Sequence, residues 1–139
     1  MTDELRIGWT RRQATTARDV YRGLLALNLV LQTGLGLLAL AMPDTLSSWL
    51  GLTTGATGWL RAWGLWQLAA ILFYAPGWFD PVHRRWPNLL GIPLRLASAV
   101  LFLLLGGGFL WLALFDAGFA LVLAVAYWRL LRAELMSRP

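Results

Sequence analysis

A few polar side chains interrupt the apolar stretches of this sequence, and they are the candidates for binding chemistry. Asn28, Tyr74 and Arg95 each lie about six to eight residues from the end of their apolar stretch that is predicted on the cytoplasmic side. At about 1.5 Å of rise per residue in a helix, the three side chains are therefore expected at a similar depth. A charge in hydrocarbon is costly, so Arg95 requires a partner. Its side chain reaches the lipid headgroups, bonds to Asn28 and Tyr74, pairs with Asp19 or Asp80, or holds the head group of an anionic lipid or ligand.

Two further polar pairs are predicted to be structural. Gln32 and Gln67 lie near the middle of the first two apolar stretches, where an amide pair between helices is favoured over a polar gate. Arg61 and Asp116 are predicted at the opposite end, as a partly buried ion pair. A proton relay through Asp116 is the alternative, but the middle of the stretches supplies only amides for it.

The sequence lacks a catalytic or metal-binding pattern. It has no cysteine and a single histidine, His83, which excludes thiolate chemistry, cysteine-ligated zinc and bis-histidine haem. No nucleophilic Ser or Cys stands beside His83. Arg84 and Arg85 follow it in an aromatic loop that suits anionic lipid headgroups or a neighbouring subunit. These two arginines are therefore further candidates for ligand or lipid binding, and the protein is predicted not to be an enzyme.

The composition is that of an integral membrane protein. The 139 residues are 58% hydrophobic and 14% charged, whereas about a quarter of the residues in a soluble domain are charged. The net charge of +5 comes from 12 cationic and 7 anionic residues. All the cations are arginines near the ends of apolar stretches, so they indicate membrane topology and no nucleic-acid partner.

Apolar stretches of about 20 residues, the length that crosses a bilayer, predict an all-α fold, a four-helix transmembrane bundle. Only residues 115–117 separate the last two stretches, so one bent hydrophobic segment is the alternative there. The predicted organisation is a basic N-terminal segment, 1–20, a transmembrane domain, 21–131, with spans 21–41, 58–78, 89–112 and 117–131, and a C-terminal tail, 132–139.

The distribution of arginine predicts the orientation, because cytoplasmic flanks retain Lys and Arg during insertion. Arginines cluster before the first span, between the second and third spans, and after the fourth, whereas Arg61 is alone on the other side. Both termini are therefore predicted to be cytoplasmic, in the inner membrane of a bacterium.

A short helix is predicted to lie on the outer leaflet after the first span. Asp44 is a candidate cap for this helix, in which Leu46, Trp49 and Leu50 follow at i, i+3 and i+4. The segment is expected to be a surface anchor, and a lid over a binding site is the alternative.

Glycines are predicted to mark close contacts between helices. Gly34 and Gly36 lie in the first predicted span, and Gly106, Gly107 and Gly108 lie in the third. Small residues let transmembrane helices approach closely. A hinge is the alternative for the three consecutive glycines.

Two segments resemble each other within the chain. Residues 36–44 and 108–116 share Gly, Leu, Leu, Ala and Asp in register. A true duplication would make them a parallel repeat in which both run outward. Chance matches are the alternative in a sequence so rich in Leu and Ala.

A series of short motifs extends over most of residues 20–131. It comprises Pro43-Asp44, Leu50-Gly51-Leu52, Leu60-Arg61-Ala62-Trp63-Gly64, Phe73-Tyr74, Asp80-Pro81 and Arg95. Their order resembles that of the small four-helix DoxX-like bacterial membrane proteins. The resemblance implies an accessory or quinone-adjacent role beside membrane oxidoreductases, and the lack of cysteine separates the chain from thiol-dependent branches.

Two functions are predicted on this basis. The first is a non-catalytic accessory or assembly subunit of a larger respiratory or photosynthetic membrane complex, with membrane lipids and that complex or further copies of the chain as partners. The alternative is a membrane protein or transporter that binds a lipid, a quinone or another small molecule in a pocket around Arg95. No cofactor is predicted, although a bound quinone or lipid fits the second function.

Overall fold

The computed structural model of the chain describes residues 2–52 and 57–137, with side chains from residue 11 onward. These ranges form helices α1 (Thr2–Ala41), α2 (Pro43–Leu50), α3 (Thr57–Phe79), α4 (Trp86–Leu105) and α5 (Phe109–Met136). In the described part of the chain, the segment Arg11–Ala41 of α1, together with α4 and α5, is long and apolar enough to cross a membrane. The described chain is therefore all-helical and has the helices of a membrane protein.

The fourth long helix, α3, differs in composition from those three. It contains Arg61, Gln67, several glycines and several tryptophans, which lower its hydropathy. A proline, Pro76, also lies inside it.

The four long helices pack side by side in the cyclic order α3, α1, α5, α4. Helix α1 packs along both α3 and α5, and α4 packs along α5. Helix α3 touches α4 over a much smaller stretch. A gap, here called the seam, therefore remains between α3 and α4, which the loop of residues 80–85 connects.

Two apolar cores lie at different heights within the helices. One contains Tyr21, Leu25, Tyr74, Val82, Leu123, Ala126, Tyr127 and Leu130. The other contains Ala39, Leu46, Leu60, Trp63, Phe102, Leu112 and Ala113. Polar residues of α1, α3, α4 and α5 are buried at the level between them.

The first core faces the end of the molecule that holds the start of α1 and the end of α5, here called the termini face. There the Arg18 guanidinium of α1 donates to the Glu134 carboxylate of α5 at 2.5 Å. The indole N–H of Trp78, at the end of α3, donates to the carbonyl of Arg22 at 3.1 Å, and the Arg22 guanidinium lies 4.8 Å from the Trp78 ring centre. The α3–α4 loop therefore shares this face with the ends of α1 and α5, while α2 lies at the opposite face.

The turn between the last two long helices is not where the hydropathy pattern predicts it. The spans 89–112 and 117–131 are wrong, because α4 ends at Leu105 and α5 begins at Phe109. Gly106 and Gly107 adopt φ of 67° and 54°, the left-handed region that glycine enters at little cost. Gly106 and Gly107 therefore form the turn itself and do not mark a contact between helices.

Gly108 completes the turn by a close approach to the last residue of α2 and to the segment after it. A Cβ atom at this position would overlap the Leu50 carbonyl and lie 3.0 Å from the Leu52 side chain. The α4–α5 turn is therefore fitted against the end of α2.

Helix α2 forms where the short outer helix is predicted, but with a different start. It begins at Pro43, and the preceding residue, Met42, makes no side-chain cap, so Asp44 lies in the first turn instead of capping. Leu46 is 3% exposed, whereas Trp49 is 70% exposed. The predicted apolar stripe is therefore divided, with Leu46 packed on the second core and Trp49 pointing outward.

The segments 36–44 and 108–116 are not equivalent in the structure. The first runs from the last turns of α1 into α2, whereas the second begins in the α4–α5 turn and continues into α5. Because α1 approaches the opposite face and α5 leaves it, the shared residues run in opposite directions. A parallel repeat is therefore contradicted.

The predicted terminal segments are parts of helices. Helix α1 is continuous from Thr2, so residues 2–20 extend the first apolar helix. Helix α5 continues to Met136, and the last two residues of the predicted tail lie outside the described part of the chain.

Candidate ligand-binding site

Arg95 is at the centre of the buried polar level between the two apolar cores. It lies near the middle of α4 and is 5% exposed. Its guanidinium donates from Nη1 to Asp116 Oδ1 of α5 at 2.9 Å, and from Nη2 to Asn28 Oδ1 of α1 at 2.7 Å. Nη2 also contacts the side-chain oxygen of Gln32. Three helices are therefore joined through one side chain.

Asp116 is the carboxylate that balances this charge. It is 3% exposed and also accepts a hydrogen bond from the Ser98 hydroxyl at 2.7 Å. Ser98 lies three residues after Arg95 on α4, so both contacts come from one face of that helix. An ion pair taken out of water is tolerated only when its remaining hydrogen-bonding groups are satisfied, which Ser98 does for the carboxylate.

The amides connect the pair to α3. Gln32 Nε2 donates to the backbone carbonyl of Gln67 at 3.0 Å. The ring of Tyr74, also on α3, lies with its centre 5.5 Å from the Arg95 guanidinium carbon. The two sets of polar residues predicted at different depths therefore form a single cluster. One set is Asn28, Tyr74 and Arg95, and the other is Gln32 and Gln67.

Two donors in this cluster have no hydrogen-bond partner among the described residues. They are Arg95 Nε and Asn28 Nδ2, and both atoms are buried. A buried donor without a partner costs about 1–3 kcal/mol. The cluster therefore has hydrogen-bonding capacity that the described side chains do not use.

A cavity of about 310 Å³ opens beside Arg95 in the seam between α3 and α4. Trp66, Phe73 and Leu94 form part of its apolar wall. Its polar lining is Gln32, Gln67, Tyr74, Arg95, Ser98 and Asp116. Small-molecule sites have this character, an apolar wall with a few convergent polar groups.

The predicted ion pair between Arg61 and Asp116 is wrong. Arg61 is exposed near the start of α3, while Asp116 is buried inside α5 and pairs with Arg95. Arg95 instead has a buried carboxylate partner at its own level in the bundle. Its side chain is buried, so it neither reaches the headgroups nor pairs with Asp19 or Asp80.

The remaining predicted polar residues lie outside this cluster. Arg84 and Arg85 are exposed at the termini face, and Arg85 Nε donates to the Val82 carbonyl at 2.7 Å. In the same loop, the backbone N–H and ring nitrogen of His83 lie 3.2 Å and 3.0 Å from Asp80 Oδ1. These hydrogen bonds hold the pKa of the Asp80 carboxyl below its usual range. The loop is ordered by its own contacts, at a distance from the cavity.

Gly36 packs α1 against α3, opposite a glycine that the sequence analysis did not select. A Cβ atom on Gly64 would lie 2.7 Å from the Gly36 carbonyl oxygen and 2.9 Å from the Ala39 Cβ. Nothing lies within 4 Å of a Cβ atom added to Gly34. The close approach therefore depends on Gly36 and Gly64.

The sequence pattern alone does not single out Ser98 or indicate that Asp116 pairs with Arg95. The spacing of Arg95 and Ser98 at i and i+3 was available as a signal that both face one partner. Asp116 falls between two predicted spans because a charge commonly marks the end of an apolar stretch.

Comparison with known proteins finds no matching family model, no similar curated protein and no similar solved structure. The resemblance to DoxX-like proteins therefore depends only on the short motifs in the sequence.

Proposed function

We propose that this protein is an integral membrane protein that binds a small, mostly apolar molecule with a hydrogen-bond acceptor in the cavity beside Arg95. The observation that supports it best is the joint placement of a buried Arg95, its unused Nε–H and an apolar cavity that opens in the α3–α4 seam. The ligand would enter sideways from the bilayer.

This function requires that all four long helices cross the membrane. Helix α3 has 23 residues, which at about 1.5 Å per residue give about 34 Å, enough for a hydrocarbon core of about 30 Å. It lies beside α1 along its length, and its polar residues Gln67 and Tyr74 face the buried cluster. We infer four crossings with α3 as the second.

The orientation follows from the arginines that flank these helices. Arg18, Arg22, Arg84 and Arg85 lie at the termini face, and Arg61 lies toward the other end of α3. By the positive-inside rule, we infer that the termini face is cytoplasmic. A bacterial inner membrane fits this arrangement.

The charge of the cluster favours a neutral ligand. Asp116 already balances Arg95, with 2.9 Å between the guanidinium nitrogen and the carboxylate oxygen. An anion would add a second buried negative charge beside Asp116, and burying an unbalanced charge is costly. A carbonyl oxygen, in contrast, accepts a hydrogen bond without changing the net charge.

The shape of the cavity favours a flat head group. Trp66, Phe73 and Tyr74 supply aromatic faces on the α3 side, and the volume of about 310 Å³ suits one small ring system. A quinone has such a ring, carries carbonyl acceptors and has an apolar tail that can stay in the bilayer. This ligand class agrees with the quinone-adjacent role that the DoxX-like resemblance implies.

The accessory-subunit function stays a prediction. It is compatible with the same cavity if the quinone belongs to a larger respiratory complex. It differs in requiring a stoichiometric protein partner.

A titration with a short-chain ubiquinone, followed by tryptophan fluorescence of the purified full chain in detergent, tests the proposal. Ala69 lines the cavity, whereas Ala62 is exposed seven residues earlier on the same helix and does not line it. Ala69→Leu should weaken binding at least about tenfold because its side chain fills the cavity, and Ala62→Leu should leave it unchanged. Equal binding by both variants would contradict the proposed site.

A further inference from the structure

A second opening, larger than the Arg95 cavity, lies between α1 and α5 at the termini face. Its volume is about 750 Å³, and residues on one side of α1 and on one side of α5 line it. Val20 and Leu24 on α1 and Leu121 and Val125 on α5 form its apolar part. It shares no lining residue with the cavity in the α3–α4 seam.

The polar end of this groove is cationic. Arg12 on α1 and Arg129 on α5 both line it, together with Gln13 and Thr16. Among the described side chains, neither Arg12 nor Arg129 forms an ion pair, and Glu134 pairs with Arg18. The groove therefore presents two arginines and two neutral hydrogen-bonding side chains at one end, with no carboxylate among its lining residues.

The apolar part has the length of an acyl chain in one leaflet. From Thr16 to Leu24, and from Arg129 back to Leu121, each helix rises about 12 Å at about 1.5 Å per residue. Half of a hydrocarbon core of about 30 Å is about 15 Å. The cationic end therefore lies at headgroup height when the aliphatic part lies in the leaflet.

From this arrangement we infer that the α1–α5 groove is a binding site for one anionic phospholipid. Its phosphate lies between Arg12 and Arg129, and an acyl chain lies along Val20, Leu24, Leu121 and Val125. Charge complementarity selects an anionic headgroup over a zwitterionic one, because an arginine near the membrane surface attracts negative lipid. The exposed aliphatic lining requires an apolar occupant, which a soluble phosphate compound does not provide.

Native mass spectrometry of the purified full chain in a neutral detergent tests this inference, with phosphatidylglycerol added at increasing concentration and phosphatidylcholine of the same chain length as reference. We expect one tightly bound phosphatidylglycerol per chain. Replacing both groove arginines, Arg12→Gln with Arg129→Gln, should weaken this binding roughly 30-fold, given the usual contribution of each cationic side chain near an anionic surface.

The matched control replaces two exposed arginines that do not line the groove, Arg11→Gln with Arg132→Gln. It makes the same change in net charge but keeps both groove arginines, so it should reduce binding less than threefold. Equal weakening by the two double variants, or equal affinity for both lipids, would overturn the inference. A dimer of the chain with no bound lipid would also overturn it, because a second copy would then cover the groove.

Discussion

At the scale of single residues, the Arg95–Asp116 pair is the feature on which the candidate site depends. Both side chains are nearly fully buried. Among the described residues, neither forms an ion pair with any other side chain. Breaking a buried pair leaves an uncompensated charge, while removing both charges does not. Comparing single and double variants therefore separates the interaction energy of the ion pair from the effects of its surroundings.

We expect Arg95→Met and Asp116→Leu each to lower the free energy of unfolding by about 3–5 kcal/mol. The double variant Arg95→Met/Asp116→Leu should be at least about 2 kcal/mol more stable than the sum of the single effects predicts, because no charge is then left alone. Unfolding by a denaturing detergent in mixed micelles, monitored by circular dichroism, measures all three variants.

Arg61→Met is the control for this cycle, because Arg61 is exposed and has no described ion-pair partner. It should change the stability by less than about 0.5 kcal/mol. Additive single effects would show that the two charges do not stabilise each other in the folded protein.

The buried cluster could be predicted only in part from the sequence. Asn28, Tyr74 and Arg95 were expected at one level because polar residues in hydrocarbon must find each other. The sequence does not predict Asp116 as the partner. A carboxylate in an apolar stretch gives the same hydropathy pattern whether it ends a helix or is buried within one. Only the register of α5 against α4 distinguishes the two cases, and that register depends on packing.

At the scale of helices, the turn at Gly106–Gly108 shows why the boundary was misplaced. Glycine is tolerated inside transmembrane helices, so three glycines in an apolar stretch do not by themselves end one. What ends α4 is the left-handed conformation of Gly106 and Gly107 and the close approach of Gly108 to α2. Neither property is visible in hydropathy.

Gly108→Ala should therefore destabilise the protein by about 1–3 kcal/mol, because the new Cβ atom overlaps the Leu50 carbonyl and must displace the backbone. Gly107→Ala, where the added Cβ has open space but φ is 54°, should cost about 1–2 kcal/mol from backbone strain alone. Thermal unfolding in detergent compares the two, and hydrogen exchange in α2 distinguishes them. Faster exchange in α2 for Gly108→Ala only is the expected result, and unchanged exchange in both would contradict the contact.

The α1–α3 contact gives a second prediction for a helix interface. Gly64→Ala should lower the free energy of unfolding by about 1–3 kcal/mol, because its Cβ atom has no room beside Gly36 and Ala39. Gly34→Ala is the matched control and should be neutral or stabilising by up to about 1 kcal/mol, since the space is open and alanine favours a helix. Equal stability of the two variants, measured by thermal unfolding, would show that α1 and α3 do not approach this closely.

At the scale of the whole molecule, the packing order of the helices explains where a ligand could enter. Three of the four neighbouring pairs of long helices pack along each other, α1 and α5 with a groove at the termini face. The fourth pair, α3 and α4, is separated at the level of Arg95 by the cavity. The sequence predicts the four long helices from their length and polarity. It does not predict the seam, because helix order and spacing depend on tertiary contacts such as the Gly36–Gly64 approach.

The orientation of the molecule can be measured with single cysteines, because the chain has none of its own. His83 in the α3–α4 loop and Ser48 in α2 are both exposed, at opposite faces. In right-side-out membrane vesicles, an impermeant thiol reagent should label Ser48→Cys and leave His83→Cys unlabelled until the membrane is opened. Labelling of both, or the reverse pattern, would contradict four crossings with cytoplasmic termini.

Native mass spectrometry of the chain extracted from its membrane at native expression, with all bound molecules identified, tests directly whether a small molecule occupies the Arg95 cavity. Besides any phospholipid in the α1–α5 groove, we expect one small neutral amphipathic molecule per chain, retained by Ala62→Leu and lost from Ala69→Leu. Identical retention by both variants, or a chain that carries stoichiometric protein partners and no small molecule, would contradict this expectation.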